Sequence, residues 1–127
     1  MTLKDRIGVD IGRRAKLEDG IAWAAKHGVR YIDIQLDTAA NAITTFDDRR
    51  AANVRGLLEK HDIQLGLHTL SAVNVAEYSP FVADAVDEYL KAYVDIFPKL
   101  GAKWIVMHAG YHFSSDKTMR MESGLER

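Results

Sequence analysis

Four short strand-like segments that alternate with helix-period segments predict an α/β fold, the parallel (β/α)4 half of a TIM-type (β/α)8 barrel. Two further observations favour a barrel. Each predicted strand has one apolar face and one partly polar face, whereas strands of an open sheet covered on both faces are apolar throughout. Aspartate and histidine side chains also lie near the strand ends, where barrels of this type carry their functional residues.

The predicted strands are residues 7–12, 31–37, 63–69 and 104–110. Residues two apart share a face of a strand, so each strand divides into two sets of side chains. The set expected to pack against covering helices is Ile7, Val9, Ile11, Ile32, Ile34, Leu36, Ile63, Leu65, Leu67, Ile105 and Met107. The set expected on the inner face is Gly8, Asp10, Gly12, Asp33, Gln35, Asp37, Gln64, Gly66, His68, Trp104, Val106 and His108.

Helical stripes fill the segments between the strands. The first ends at Gly28, where a left-handed glycine can close a helix. The second has Thr45 as its predicted N-cap. The third begins at Ser79-Pro80 and ends at Gly101, and a fourth begins near Thr118 and is expected to be truncated by the chain end. The whole chain, residues 1–127, is expected to form one partial barrel domain.

Composition restricts the classes of function. Seventeen Lys and Arg residues balance eighteen Asp and Glu residues, which does not favour nucleic acid as a partner. The absence of cysteine excludes disulfides and thiolate chemistry and fits a reducing, cytoplasmic location. No membrane-spanning or signal segment is predicted, so no membrane partner is expected.

His68 and His108 occupy the inner-face positions near the carboxyl ends of the third and fourth predicted strands. Parallel neighbouring strands lie about 4.8 Å apart, so the two imidazoles are expected to meet at one rim of the sheet. Imidazole nitrogen binds divalent metals, and two such rings can share one ion. The alternative is that each ring hydrogen-bonds a neighbour or a substrate hydroxyl.

Two segments resemble the xylose isomerase-like TIM barrels, which include sugar-phosphate isomerases, epimerases and endonuclease IV. Residues 67–76, LHTLSAVNVA, resemble the family's loop from histidine to asparagine after strand three. Residues 100–110, LGAKWIVMHAG, are similar to its strand-four segment. Asp33 stands where many relatives carry glutamate. The resemblance covers about the first half of a family domain.

The resemblance implies that His68, Asn74, His108 and Asp33 contact the substrate. It also implies two roles for the histidines, since His68 and His108 would bind metal in endonuclease IV-like members and contact substrate in sugar isomerases. In the sugar isomerases of this family, residues on strands five to eight hold the metal. A divalent ion, Mn, Zn or Mg, is therefore expected in the complete enzyme and weakly or not at all in this chain.

The leading hypothesis is the N-terminal portion of a metal-dependent sugar-phosphate isomerase or epimerase-like enzyme, acting by proton abstraction next to a carbonyl. Its partner would be a small sugar or sugar phosphate. Two alternatives remain, an abasic-site endonuclease-like metal hydrolase of the same fold and a truncated half-barrel without catalytic activity. Because four strands cut from a barrel have open edges, self-association through those edges is expected.

Overall fold

The structure is a computed structural model that describes residues 3–13, 15–37, 39–77, 79–108 and 110. Its strands are β1 (Gly8–Asp10), β2 (Tyr31–Ile34), β3 (Gln64–His68) and β4 (Trp104–Val106). Its helices are α1 (Leu17–His27), α2 (Asp48–Lys60) and α3 (Pro80–Leu100), each connecting consecutive strands. The predicted fourth helix near Thr118 lies outside the described residues.

The four strands form one parallel sheet in the order β1-β2-β3-β4. This order is expected for consecutive β-α units, and it confirms the predicted α/β half-barrel arrangement. One row of paired residues crosses all four strands, from Asp10 through Asp33 and Gly66 to Trp104. The predicted inner-face residues therefore lie side by side.

The hydrophobic core lies between the helices and one face of the sheet. Ile32, Ile34, Leu65 and Leu67 are fully buried there, as the alternation predicted. Leu17, Ile21, Val54, Tyr93 and Leu100 pack against them from the helices. Burial of such side chains contributes about 1.5–3 kcal/mol each, before losses of conformational entropy.

Ile7 and Met107 do not join this core, although both were predicted to face covering helices. Their exposed fractions are 56% and 48%. The cause is that β1 and β4 are each three residues long and lie at the sheet edges, so Ile7 precedes β1 and Met107 follows β4. Leu36 and Ile63 also lie just outside their strands but are buried as predicted, because β2 and β3 are the central strands of the sheet.

Two predicted helix ends are confirmed, and one predicted cap is wrong. Gly28 and Gly101 both have φ of 69° and close α1 and α3. The N-cap of α2 is Asp47, whose carboxylate accepts from the Arg50 amide at 2.7 Å. Thr45 instead ends a short 3-10 helix, Ile43–Thr45, and donates to the Ala42 carbonyl.

A buried polar cluster ties the loop after β2 to the start of α1. The Asn41 side chain accepts from the Leu17 amide at 3.0 Å and donates to the Ala15 carbonyl at 2.6 Å. Arg50 holds both carboxylate oxygens of Glu18, at 2.7 and 2.9 Å, and these bonds lower the pKa of Glu18. The loops that follow β1 and β2 are thereby fixed next to each other.

Among the described residues, no helix has the length and hydropathy needed to cross a bilayer.

Candidate functional site

Polar side chains from all four strand segments converge at one rim of the sheet. Asp10 ends β1, Asp33 lies on β2, His68 ends β3, and His108 follows β4. The inner-face set predicted from alternation supplies all four residues. Because the strands are parallel, their carboxyl ends share one side of the molecule, which is where barrels of this kind place their sites.

The two histidines are in direct contact. Their Nε2 atoms lie 3.1 Å apart, and their rings stack with centroids 5.2 Å apart and an interplanar angle of 20°. A hydrogen bond between two ring nitrogens requires one donor and one acceptor, so this contact is a hydrogen bond when one of the two Nε2 atoms carries a proton and the other does not. The structure thus brings together the histidine pair singled out in the sequence.

Asp33 lies on the other side of the His68 ring. Its Oδ2 is 3.5 Å from His68 Nδ1, which is an ion-pair distance without hydrogen-bond geometry. Asp33 Oδ1 and His68 Nδ1 are buried and have no hydrogen-bond partner in the described part of the chain. Burial, together with the nearby Asp10 charge, raises the pKa of Asp33, although His68 acts in the opposite direction. Unsatisfied buried polar atoms are costly, so Asp33 Oδ1 and His68 Nδ1 are candidates to bind a ligand.

Asp10, Asp33 and His68 form the acid–histidine group, whose possible ligand atoms all lie within 4.8 Å of one another. Two carboxylates and one imidazole match the donor preferences of manganese and zinc. The sequence singled out His68 and His108 as the metal pair, whereas this group contains His68 with Asp10 instead. The signal for Asp10 was its position on the inner face beside Asp33, in the same row of the sheet.

Tyr93 on α3 supports the rim from the helix side, and no sequence pattern singled it out as a site residue. Its hydroxyl accepts from the Leu36 amide at 2.9 Å and donates to Asp37 Oδ2 at 2.8 Å. The Tyr93 hydroxyl oxygen also lies 3.2 Å from the His68 carbonyl oxygen. Burial raises the pKa of Tyr93, so the hydroxyl remains a neutral donor. Tyr93 therefore connects the ends of β2 and β3 next to His68.

Trp104 covers the inner face beneath the rim. A Cβ at Gly66 would overlap the Trp104 indole, so the glycine leaves the space that the ring occupies. The Tyr31 ring centroid is 6.3 Å from that of Trp104. These two aromatic rings form an apolar surface next to Asp33 on the inner face of the sheet.

Asn74 lies in the loop after β3 and is half-buried. Its side-chain oxygen accepts from the Ala76 amide at 3.1 Å, a local bond that shapes the loop. Its expected contact with substrate stays a prediction. Gln35 also lies on the inner face, and its Oε1 is buried and unpartnered among the described residues.

The parallel half-barrel with a polar rim defines a class of protein, the α/β barrel with its site at the carboxyl ends of its strands. The sequence profile of one family within that class, "Xylose isomerase-like TIM barrel", matches residues 21–126. This match spans most of the chain. The chain belongs to the xylose isomerase-like TIM barrel family, which confirms the resemblance seen in the sequence.

Solved structures agree at the level of the fold. A D-psicose 3-epimerase determined in the presence of D-fructose has a TM-score of 0.73 at 20% identity, and a D-psicose 3-epimerase with D-tagatose from Clostridium cellulolyticum has 0.74 at 16%. Endonuclease IV from Thermus thermophilus has 0.69 at 16%. Each match covers 94% of this chain and 44% of the other, so this chain spans less than half of those proteins. No curated protein sequence matches significantly.

Proposed function

We propose that this chain supplies the N-terminal half of the active site of a sugar isomerase or epimerase, with a sugar or sugar phosphate as its substrate. The observation that carries the proposal is the rim array, defined as Asp33, His68 and His108. Imidazole and carboxylate groups at a barrel rim can hydrogen-bond the hydroxyl and carbonyl oxygens of a sugar. Residues outside this chain would complete the site.

The surroundings of the rim array support a small polar ligand. Trp104 and Tyr31 offer aromatic surface next to Asp33, and the C–H face of a sugar can pack on such rings. The nearly balanced charge of the chain gives no general attraction for phosphodiester backbones. The lack of cysteine is compatible with a reducing cytoplasm, where we place this activity.

A divalent metal fits the acid–histidine group. Asp10, Asp33 and His68 would hold it, and it would satisfy the buried Asp33 Oδ1 or His68 Nδ1. When bound, such an ion stabilises negative charge on substrate oxygens. The group supplies at most three protein ligands from this half, so we expect weak binding of manganese, zinc or magnesium.

The reaction we propose is removal of the proton next to the sugar carbonyl by a carboxylate, followed by reprotonation. His68 and His108 would bind the substrate oxygens, and an Nε2–H of either ring could donate to a developing oxyanion once the contact between the two rings opens. Asp33 would orient His68 from the Nδ1 side. The rim array therefore has binding and orienting roles in this proposal.

The paired imidazoles favour a second candidate, an abasic-site endonuclease-like hydrolase. Two nitrogens 3.1 Å apart can both lie at the roughly 2.0–2.1 Å zinc–nitrogen distance from one ion. His68 and His108 would hold such an ion, which would supply Lewis-acid chemistry for phosphodiester hydrolysis. The third candidate, a half-barrel without chemistry, would bind neither ligand.

Calorimetric titration with D-psicose, D-fructose and D-tagatose, with manganese present, separates these candidates. The proposal predicts saturable sugar binding that His68→Gln weakens about tenfold or more, together with no nicking of abasic duplex DNA. Asn53→Gln, an exposed change on α2, is the matched control and should bind as wild type does. Zinc-dependent nicking without sugar binding would favour the endonuclease. Loss of both activities would favour the inactive half-barrel.

A further inference from the structure

A side-chain hydroxyl bridges β2 and β3 at the point where their own pairing has ended. The paired residues of the two strands end at Ile34 and Leu67. Beyond this point the Tyr93 hydroxyl accepts from the Leu36 amide at 2.9 Å and lies 3.2 Å from the His68 carbonyl oxygen. Parallel strands normally join such groups directly, N–H of one strand to C=O of the next. The hydroxyl therefore stands between the strands where a backbone bond would otherwise form.

The Tyr93 hydroxyl is held firmly in this place. The side chain is fully buried in the core on α3. A phenol donates one proton, and here the Asp37 Oδ2 atom at 2.8 Å and the His68 carbonyl share that proton as acceptors. Burial raises the pKa of Tyr93, so the proton stays on the hydroxyl. One atom thus contacts groups at the ends of both strands.

The width between the ends of β2 and β3 determines the geometry of the candidate site. Asp33 lies on β2, and His68 is the last residue of β3. The His68 ring is 3.5 Å from Asp33 on one side and 3.1 Å from the His108 ring on the other. A change in the spacing of the two strand ends would move His68 relative to both neighbours.

We propose that Tyr93 is a positioning residue of this site, which sets the place of His68 by bridging the ends of β2 and β3. The side chain is fully buried, so it acts through His68 and not by touching a ligand. Groups that hold a binding residue in place contribute to affinity, because small displacements of that residue weaken its contacts. For its ligand this inference rests on the proposed function, whereas the bridge itself does not.

Tyr93→Phe tests the bridge, because phenylalanine still fills the core but cannot join the two strands. In the ligand-free protein, NMR should show shifted ring signals for His68 and His108 in this variant. Tyr89→Phe is the matched control, because the Tyr89 hydroxyl bonds the Leu70 amide in the loop after β3 and no group of β2. Its effect on the two histidine signals should be much smaller. Equal shifts in the two variants, or no shift in either, would overturn the proposal.

Sugar titration with manganese present tests the consequence for binding, under conditions where every variant is fully folded. The probe is whichever of D-psicose, D-fructose and D-tagatose binds the wild type most tightly. Tyr93→Phe should raise its dissociation constant by about tenfold or more. Ile96→Val controls for lost stability, because it truncates another buried α3 side chain and leaves the bridge intact. This control should bind as the wild type does.

The outcomes separate the positioning role from the proposed function. Wild-type affinity in the Tyr93 variant, or an equal loss in the Ile96 variant, would overturn the positioning role alone. If none of the sugars binds the wild type, the proposed function fails, and the histidine signals of the ligand-free variants still decide whether Tyr93 positions His68.

The wild-type protein gives a further test, which holds even if the Tyr93 variant does not fold. A buried hydroxyl that bridges two strands exchanges its proton slowly, so the Tyr93 hydroxyl should give an NMR signal with a through-space contact to the Leu36 amide. A hydroxyl proton that exchanges rapidly with water, or a Leu36 amide without protection from exchange, would overturn the bridge.

Discussion

The imidazole rings of His68 and His108 face each other with their Nε2 atoms 3.1 Å apart, although 40 positions separate the residues in the sequence. Neighbouring parallel strands produce this contact, since His68 ends β3 and His108 lies just beyond the end of β4. Asp33 approaches the opposite side of the His68 ring. His68 is thus the centre of the rim array.

Asp33→Asn is predicted to stabilise the folded chain at neutral pH. Burial and the Asp10 charge raise the pKa of Asp33, so the folded state disfavours its ionised form. Between the ordinary and the raised pKa, the folded state binds more protons than the unfolded state, and wild-type stability falls as pH rises through that window. Asparagine does not titrate, so the advantage of the variant should grow with pH across the window and then level off.

Urea denaturation at a series of pH values measures this difference. Asp95→Asn removes an exposed charge from α3 and should change stability by less than about 0.5 kcal/mol. An Asp33→Asn variant that is less stable than wild type at neutral pH would contradict the account.

Tyr93→Phe is predicted to destabilise the fold by about 1–3 kcal/mol. The change leaves the buried Leu36 amide without its hydrogen-bond acceptor, and it removes the hydrogen bond from the hydroxyl to the Asp37 carboxylate. The comparison is Tyr89→Phe on the same helix, whose hydroxyl accepts from the Leu70 amide and is less buried. Chemical denaturation should rank the Tyr93 variant as the less stable of the two. Equal stabilities would show that the contacts at the ends of β2 and β3 contribute little.

Strand order, the inner-face residues and the closing glycines of α1 and α3 could be predicted from the sequence, because alternation and helix-end chemistry are local signals. The burial of side chains at the edge strands could not be predicted, because it depends on the residue at which strand pairing ends. Ile7 and Met107 show this, since both are exposed. The cap of α2 was misplaced since two short 3-10 helices, Ala39–Asn41 and Ile43–Thr45, precede it.

The candidate site also contains residues that could be predicted from the sequence and residues that could not. Its strand-end histidines have a sequence signal, whereas the reach of Tyr93 across to Leu36 is a tertiary contact between residues 57 positions apart. No local pattern encodes a contact of that kind. The grouping of Asp10 with Asp33 and His68 likewise required the strand register.

Arg50→Lys is predicted to cost about 1–2 kcal/mol, because lysine cannot keep the two-point contact with Glu18. Arg50 lowers the pKa of Glu18, so the pair stabilises the fold above the ordinary glutamate pKa, and this contribution is lost as pH falls through the lowered value. The difference in the free energy of unfolding between the variant and the wild type should therefore become smaller at acidic pH.

Arg30→Lys is the matched control for that measurement. Its ion pair with Asp62 is solvent-exposed, with side-chain exposures of 46% and 71%, so the change should cost less than about 1 kcal/mol. Thermal or urea unfolding of both variants decides the ranking. A larger cost for the Arg30 variant would contradict the assigned role of Arg50.

Gly66→Ala is predicted to displace the Trp104 indole and to destabilise the chain by about 1–3 kcal/mol, because the new methyl group would overlap the ring. Fluorescence in a Trp23→Phe background reports on Trp104 alone, since the chain has two tryptophans. Gly56→Ala is the control, because nothing lies within 4 Å of its added Cβ, and it should stabilise α2 by about 0.4–1 kcal/mol. An unchanged Trp104 emission in the Gly66 variant would refute this packing.

Histidine-resolved NMR tests most directly whether the rim array binds a sugar. Titration of the chain with a sugar substrate should shift the ring signals of His68 and His108 together and to saturation. The signals of His27, which bonds the Trp23 carbonyl on α1, and of the exposed His61 should stay in place. Sugar-induced shifts confined to His27 and His61, or saturating sugar that leaves His68 and His108 unmoved, would contradict the account.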